Sequence, residues 1–574
     1  MKLPALFLIP AAAFITAAAF RYTSTTTKDT AAQQKSIQQQ VNLSCSPKYI
    51  PSIDESVPRL TGWGNYNWKI TTTSDSAQFY FNQGINMYYA FHIIEARASF
   101  DKATRFDQKC AMAWWGKALA FGPNINDYIY QRPTEAFPLA MKANELKQGC
   151  TAIEKALILA MTVRYSDDST RDQGGLNILY KDALDKAHKV NPNNADISAL
   201  YAESIMMLHP WNYYNKDYTL KPWTPELLAV LKHTLTLNPK HPGANHFYVH
   251  AVEASSKPGD GLKSATFLAT AMPDVAHITH MPSHIYIRTG NYNQGIQAND
   301  RALTGYNKYL SLFPSVTENL PLYSLHNTHM KMSCAQMAGN FAQAATAAKK
   351  LQDEIPAEYL SLPGALGHMI RYLYQMPLLN QVRFGKWQDI LAIKPDDSLQ
   401  NVSIMLHFAR GMAFAKTNEP GKATEELTKI KDKLKEPSLK EPVIPFNSVY
   451  DAYNVAGNLL AGVIAESQKD YKNAVQFFEH AVLAEDGLIY NEPRDWLIPS
   501  RQYLGNVLLN TGKFNEAIAV YKKDLFINPY NGWSLTGMAN VYQKMNNSTA
   551  AAMAKKQLRS AWITKDVEIE ASIF

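Results

Sequence analysis

A glycine followed by alanine 12 residues on, an aromatic residue 16 on and alanine 19 on recurs in this chain, and this spacing constrains the fold most. It is read at Gly84, Ala96, Phe100 and Ala103, and again at Gly462, Ala474, Phe478 and Ala481. Partial copies stand at Gly411 and Ala423, and at Gly505, Ala517, Tyr521 and Pro529. A unit of this size cannot bury its own apolar face, so units must stack on one another. Small residues at fixed offsets let two antiparallel helices come close enough to do so. At 574 residues the chain is far longer than one compact core supports. A stacked array removes that difficulty.

The middle of the chain holds the same frame more loosely. Asn238-Pro239 closes one unit, so the next starts at Pro242; Pro273 follows Pro239 by 34 residues, and a further unit starts at Ala276. Its inter-helix turn is Thr289-Gly290-Asn291-Tyr292, and Ala302 falls in its second helix. Another unit starts at Leu325, with Gly339-Asn340-Phe341 as its turn, Ala344 after it and Pro356 near its end. Insertions run from Trp211 to Trp223 and from Gly305 to Tyr323. No alternating stretch is long enough to form a sheet. The expected fold is an all-α, right-handed helical-repeat solenoid.

The expected organisation has five parts. Residues 1–21 form a signal peptide or anchor, 22–72 an extended polar lead-in, 73–436 the central array, 437–445 a Pro-rich hinge and 446–574 a C-terminal group of repeats. The first part reads Met1-Lys2, then a mostly apolar run from Leu3 to Phe20 ending in small residues, which fits an export signal. Retained, the same run is just long enough to anchor the chain in a membrane. Either way the bulk of the protein is expected outside the cytoplasm, periplasmic, extracellular or anchored. Cys45, Cys110, Cys150 and Cys334 then sit where disulfides are permitted, and their pairing stays open.

The repeat spacing resembles the tetratricopeptide repeat, with a small residue at position 8, Ala at 20, an aromatic at 24 and Ala at 27. The resemblance runs over about residues 74–560. Phe81-Asn82-Gln83-Gly84, Ala111-Met112-Ala113-Trp114-Trp115-Gly116, His241-Pro242-Gly243-Ala244-Asn245-His246 and His280-Met281-Pro282-Ser283-His284-Ile285-Tyr286 look like signature stretches of a large exported bacterial family of such proteins, one without an established activity. The resemblance implies a concave groove lined by positions 2, 5, 9 and 12 of each first helix, where a protein or peptide partner binds.

Eight of the chain's fifteen histidines lie between His241 and His329, and most take those positions. His246, His250 and Glu253 fall at 5, 9 and 12; His277, His280 and His284 at 2, 5 and 9; His326 and His329 at 2 and 5. Glu203 falls at 9 of the preceding unit. Residues at i, i+4 and i+7 share a helix face, and neighbouring helices pack about 10 Å apart, so imidazoles from two units can share an ion. Neutral imidazole with a carboxylate suits Zn, Cu, Fe or Ni rather than Ca or Mg.

The expected core of such a site is His246, His250, His280 and His284, with Glu253 as a fifth ligand or general base. Glu203, His277, His326 and His329 form an outer set. Pro282 is comfortable only in a first helical turn or at a kink, so a helix starting near Thr279 would leave His277 outside it. Two other readings stay open: duplication copied the histidines without a metal, or the imidazoles bind a peptide or anion directly. A bound metal with Glu253 as base suits hydrolysis, and a redox metal suits oxidation. Met330, Met332 and Cys334 add soft donors near the third unit.

Other chemistry is poorly served. There is no His-Glu-x-x-His, Cys-x-x-Cys, haem attachment or Gly-x-Ser-x-Gly motif, and Gly421-Lys422 lacks the rest of a phosphate loop. Net charge is +7, but the lysines and arginines are dispersed apart from the solvated run Lys429 to Lys440. That distribution argues against a nucleic-acid partner.

Overall fold

The computed structural model describes residues 57–126, 130, 132–312, 322–394, 402–442 and 446–574. The apolar N-terminal segment, Cys45, most of the lead-in and Pro445 of the expected hinge lie outside the described residues. Among those described, the chain is all helical, apart from one isolated bridge between Tyr214 and Leu220. No helix among them is long and apolar enough to cross a membrane.

Helix hairpins follow one another along the chain. Asp75–Tyr89 packs on Ile93–Phe106, Ala195–Leu208 on Thr224–Leu237, Pro242–Glu253 on Leu262–Ala271, Leu322–Met337 on Phe341–Asp353, and Val449–Ser467 on Tyr471–Asp486. The reason for the glycine and aromatic spacing is visible in these contacts. A Cβ at Gly84 would come within 2.7 Å of the Phe100 ring, and one at Gly116 within 2.4 Å of the same ring. Gly462 faces Phe478 at 2.4 Å, while Gly505 and Gly537 hold Tyr521 between them at 2.5 and 2.3 Å. Each aromatic thus fills a slot that only a residue without a side chain leaves open.

The described part of the lead-in is not loose. Gln78, Asn82, Gln83 and Asn86 line one face of Asp75–Tyr89, and their amide oxygens accept the backbone N–H groups of Ile70, Trp68, Leu60 and Tyr66 at 2.9–3.2 Å. The extended chain is held by side chains as a strand is held by a neighbour, and Trp63, Trp68 and Ile70 are buried beneath it. At the other end Asp566 caps Phe341–Asp353 by accepting Phe341 N and Ala342 N, and Trp562 Nε1 donates to Met337 O at 2.8 Å.

The apolar core forms two clusters, one drawn from Val57 to Tyr309 and the other from Tyr292 to Ile573. Around the expected hinge the array continues: Val402–Lys416 packs directly on Val449–Ser467, with a short 3-10 turn at Pro437–Lys440. Arg288 reaches from the first half to Ile527 O at 2.8 Å, and Tyr292, at the start of the second cluster, donates to Pro529 O at 2.7 Å. Cys110, Cys150 and Cys334 are buried free thiols.

The helix carrying His277 departs from expectation. The chain is helical from Ala276 to His280 and again from Pro282 to Thr289, with Met281 between them in right-handed helical conformation. Proline has no N–H to donate, so the junction is bridged by Met281 N to His277 O at 3.1 Å and His284 N to Met281 O at 3.2 Å. Pro282 therefore interrupts a helix already under way, and His277 lies inside it.

Candidate metal centre

Three elements bring six imidazoles together. Pro242–Glu253 presents His246 and His250, the interrupted helix presents His277, His280 and His284, and Leu322–Met337 presents His326. They sort into two triads, His246 with His250 and His277, and His280 with His284 and His326; the ligand nitrogens of each triad lie within 4.8 Å of one another. His246 Nε2 is 3.0 Å from His277 Nε2. His280 Nε2 is 2.5 Å from His284 Nε2 and 3.0 Å from His326 Nε2. The triads are neighbours, with rings of His250 and His284 centred 5.5 Å apart and those of His277 and His280 5.9 Å apart.

The opposite nitrogens are engaged by fixed acceptors. His246 Nδ1 lies 2.7 Å from Tyr89 O, a carbonyl that can only accept, so Nδ1 carries the proton and Nε2 of the neutral ring is bare. His280 Nδ1 lies 2.9 Å from Asn299 Oδ1, and Asn299 is oriented by donating its own amide to Gly295 O at 2.8 Å. Glu253 accepts from His250 Nδ1 at 2.8 Å and from His284 Nδ1 at 2.7 Å, one carboxylate oxygen each. Tyr490 donates to the second of these oxygens at 2.9 Å, and Glu492 places Oε2 3.2 Å from His284 Nδ1. Such acceptors fix tautomer and ring orientation in metal-binding histidines.

Burial and charge divide the rings. Burial holds His246, His277 and His280 well below the ordinary histidine range, and brings His326 down to about 4. Burial also opposes charge on His284, but Glu492 and Glu253 outweigh it and hold that ring up to about 10. His250 is raised by the same two carboxylates against burial. Glu492 stays well below the carboxylate range, its burial outweighed by His284 and His250.

The four residues expected as the core are split between the triads, two to each, and His277 and His326 from the outer set complete them. Glu253 lies on the Nδ1 side of His250 and His284, away from the converging Nε2 atoms. Toward the two triads it is an orienting group, and with His250, His284 and Glu492 it also belongs to a third set of ligand atoms within 4.8 Å of one another, in keeping with its expected place as a ligand. His329 is buried and brought down to about 3, chiefly by that burial, and its Nε2 faces no partner among the described residues, but it belongs to neither triad. Glu203 is elsewhere: it accepts from Tyr88 OH at 2.5 Å, and burial pushes it up to about 7 against the pull of Arg164.

Sequence reasoning missed Tyr89, Tyr490 and Glu492, which come from other units, and Asn299, which comes from the second helix of the unit that carries His280. It also missed Phe91, whose ring packs 4.5 Å from His246 and 5.6 Å from His277 on a backbone with φ of +59°. A non-glycine residue in that region stores strain that the surrounding packing must hold.

Each triad has two rings that burial keeps neutral and one, His250 or His284, that its carboxylates favour in the charged form and that would give up its proton to a metal; the three then supply three ligands of a tetrahedral transition-metal ion and leave a fourth position open. Neither triad includes a carboxylate, but His250 and His284 also stand with Glu253 and Glu492, and the four ligand atoms within 4.8 Å of one another make a third, mixed nitrogen and oxygen set.

Among known families, the model of the tetratricopeptide repeat matches residues 456–486. No curated protein matches the chain. Solved structures similar to it include the human IFIT1 dimer with m7Gppp-AAAA, at 15% identity over 92% of this chain and 99% of that one, with a TM-score of 0.30. The Cut9–Hcn1 hetero-tetramer of APC/C is similar at 12% identity, over 88% and 77%, with a TM-score of 0.28. The P58(IPK) TPR domain is similar at 12% identity, over 71% and 93%, with a TM-score of 0.18. Scores this low carry no argument about function. The chain thus contains a tetratricopeptide repeat at residues 456–486, and the same glycine-to-aromatic packing recurs in hairpins from Gly84 to Gly537, in a helical-repeat fold of tetratricopeptide type.

Proposed function

We propose that this solenoid is a metalloprotein that holds two neighbouring transition-metal ions, one in each histidine triad. The observation that carries the reading is the second set of contacts: Tyr89 O, Asn299 Oδ1 and Glu253 take the Nδ1 side of His246, His280, His250 and His284 and leave Nε2 to face inward. Duplication alone gives no reason for those acceptors. Direct recognition of a peptide is disfavoured by burial, since His246, His280 and His284 are 0% exposed. For neutral nitrogen donors, affinity among divalent ions peaks at copper, with zinc below it, so copper is the first candidate. The apolar run from Leu3 to Phe20 supports an exported setting for such a centre.

The test is metal analysis of untagged protein loaded with copper or zinc and then desalted. About two ions per chain are expected, falling to one in His277→Ala and to one in His326→Ala, with helicity unchanged. Loaded wild type that retains no metal while remaining folded overturns the reading. So does full retention in both variants.

A further inference from the structure

The insertion from Trp211 to Trp223 makes one wall of a cavity of about 950 Å³, and the segment from Glu485 to Arg494 makes another. Two of its lining residues touch the metal centre directly. Trp211 meets His250 edge to face, ring centroids 4.9 Å apart, and Tyr490 hydrogen-bonds Glu253. The cavity therefore lies against the Nδ1 face of the site. Its volume is in the range of small-molecule pockets.

The charges in its walls are unbalanced. Lys221, Arg494 and Lys523 line it, and none has an acidic partner among the described residues. The acids that line it are already used. Asp486 pairs with Arg501 at 2.8 Å, Asp217 accepts Thr219 N at 3.0 Å within its own turn, and Glu485 accepts Ser500 N at 2.7 Å. Burial pushes Glu485 up to about 7, which weakens its charge further. Behind the wall Arg288 sits close enough to Arg494 for the two guanidinium groups to repel, while its own N–H groups go to the carbonyls of Glu253, Ser255 and Ile527. The Tyr218 hydroxyl hydrogen-bonds both guanidinium groups and, against its burial, their charge holds it below the usual phenol range, so the two cations meet a neutral partner and no carboxylate, an arrangement that an anion relieves.

The remaining walls are flat and aromatic, from Trp211, Tyr218 and Tyr490. Trp211 and Tyr218 are held at φ of +60° and +68°, so the insertion keeps two large side chains in a conformation that such residues rarely adopt. Strain of this kind persists where the surroundings over-determine it, and it clusters at ligand sites.

From this geometry we infer that the cavity binds a small organic anion with a flat ring, the ring against Trp211, Tyr218 and Tyr490 and the acid group against Lys221, Arg494 and Lys523. The inference rests on the proposed metal centre only for the placing of that ligand beside the ions. The cavity stands without metal.

Titration calorimetry of the full chain with 2-naphthoate, its neutral amide 2-naphthamide, and cyclohexanecarboxylate separates the requirements. Saturable binding of 2-naphthoate is expected, weakened at least tenfold by loss of the charge or of the flat ring. The same loss is expected in Lys221→Ala/Lys523→Ala, a pair on the surface of the cavity that does not touch the histidines. Equal binding of the acid and its amide, an unchanged affinity in the variant, or no saturation with any probe overturns the inference. Running chelated and copper-loaded protein side by side distinguishes the two proposals. Ligand binding without metal uptake removes only the metal reading, and metal uptake without ligand binding removes only this one.

Discussion

Buried ionisable groups set much of what this molecule does with pH, and Glu203 shows the sign most simply. Its carboxyl is pushed from 4.5 to about 7 in the folded chain, chiefly by burial, so folding favours the protonated form. The unfolded chain releases that proton near 4.5, and the folded chain holds it until about 7. The resulting stability is fully present below 4.5 and is lost as pH rises toward 7, an effect of about 3 kcal/mol at 1.36 kcal/mol per unit. Glu203→Gln keeps an acceptor for Tyr88 OH and cannot ionise. Denaturant unfolding at several pH values should show the variant gaining on wild type across this window. A constant difference between the two would contradict the assignment.

The same scale explains which site residues were legible in the sequence. His246, His250 and Glu253 are spaced for one helix face, and the repeat frame set His277, His280, His284 and His326 on neighbouring helices. Periodicity carries that much. It does not say which nitrogen of each ring points inward, because this depends on Tyr89 O and Glu492, which reach the site from other units, and on Asn299, which reaches it from the second helix of the unit carrying His280. Local reasoning also misled at Pro282, because a proline in the first turn of a helix and one within an interrupted helix read alike.

At the scale of elements, the helix hairpins depend on glycine where two backbones and one aromatic ring compete for the same space. Tyr521 is pinned between Gly505 and Gly537, and its hydroxyl is hydrogen-bonded to Ser572 Oγ at 2.7 Å, so the ring has no room to retreat. A methyl group at Gly505 would stand 2.5 Å from ring carbons. Gly505→Ala should therefore cost about 1–3 kcal/mol, the usual range for overpacking a filled core. Gly421, in the helix Pro420–Lys433, has nothing within 4 Å of a built Cβ. Gly421→Ala should be neutral or stabilising by up to about 1 kcal/mol, since alanine loses less conformational entropy in a helix. Opposite signs in thermal or denaturant unfolding check the pair, and equal effects would show that packing on Tyr521 is not what the repeat glycine serves. These elements were the most legible part of the fold, because a repeated spacing marks a repeated contact. The closing of the array by Asp566 and Trp562 was not, because the residues they engage lie more than 220 positions away.

Across the whole molecule, the candidate centre stands where the two apolar clusters meet. Its first triad is carried by helices of the N-terminal cluster, while His326 comes from Leu322–Met337, whose other residues pack into the second. Tyr490 and Glu492 reach back from that second cluster to Glu253 and His284, and Arg288 and Tyr292 reach forward to Ile527 and Pro529. A metal bound only by the folded site stabilises it by RT ln(1 + [L]/Kd), about 2.7 kcal/mol per ion at a hundredfold excess over Kd. Because the ligands come from both clusters, that stabilisation must tie their unfolding together. Scanning calorimetry of copper-loaded protein should give one transition, and chelated protein should give a lower and broader profile in which the clusters separate. With copper present, His326→Ala, which removes the ligand from the second cluster, should let the clusters separate as chelation does, while the ion kept by the first triad still raises the transition of the N-terminal cluster. If chelation leaves both midpoint and shape unchanged, the ions do not join the two halves, and the histidines serve the solenoid only as packing.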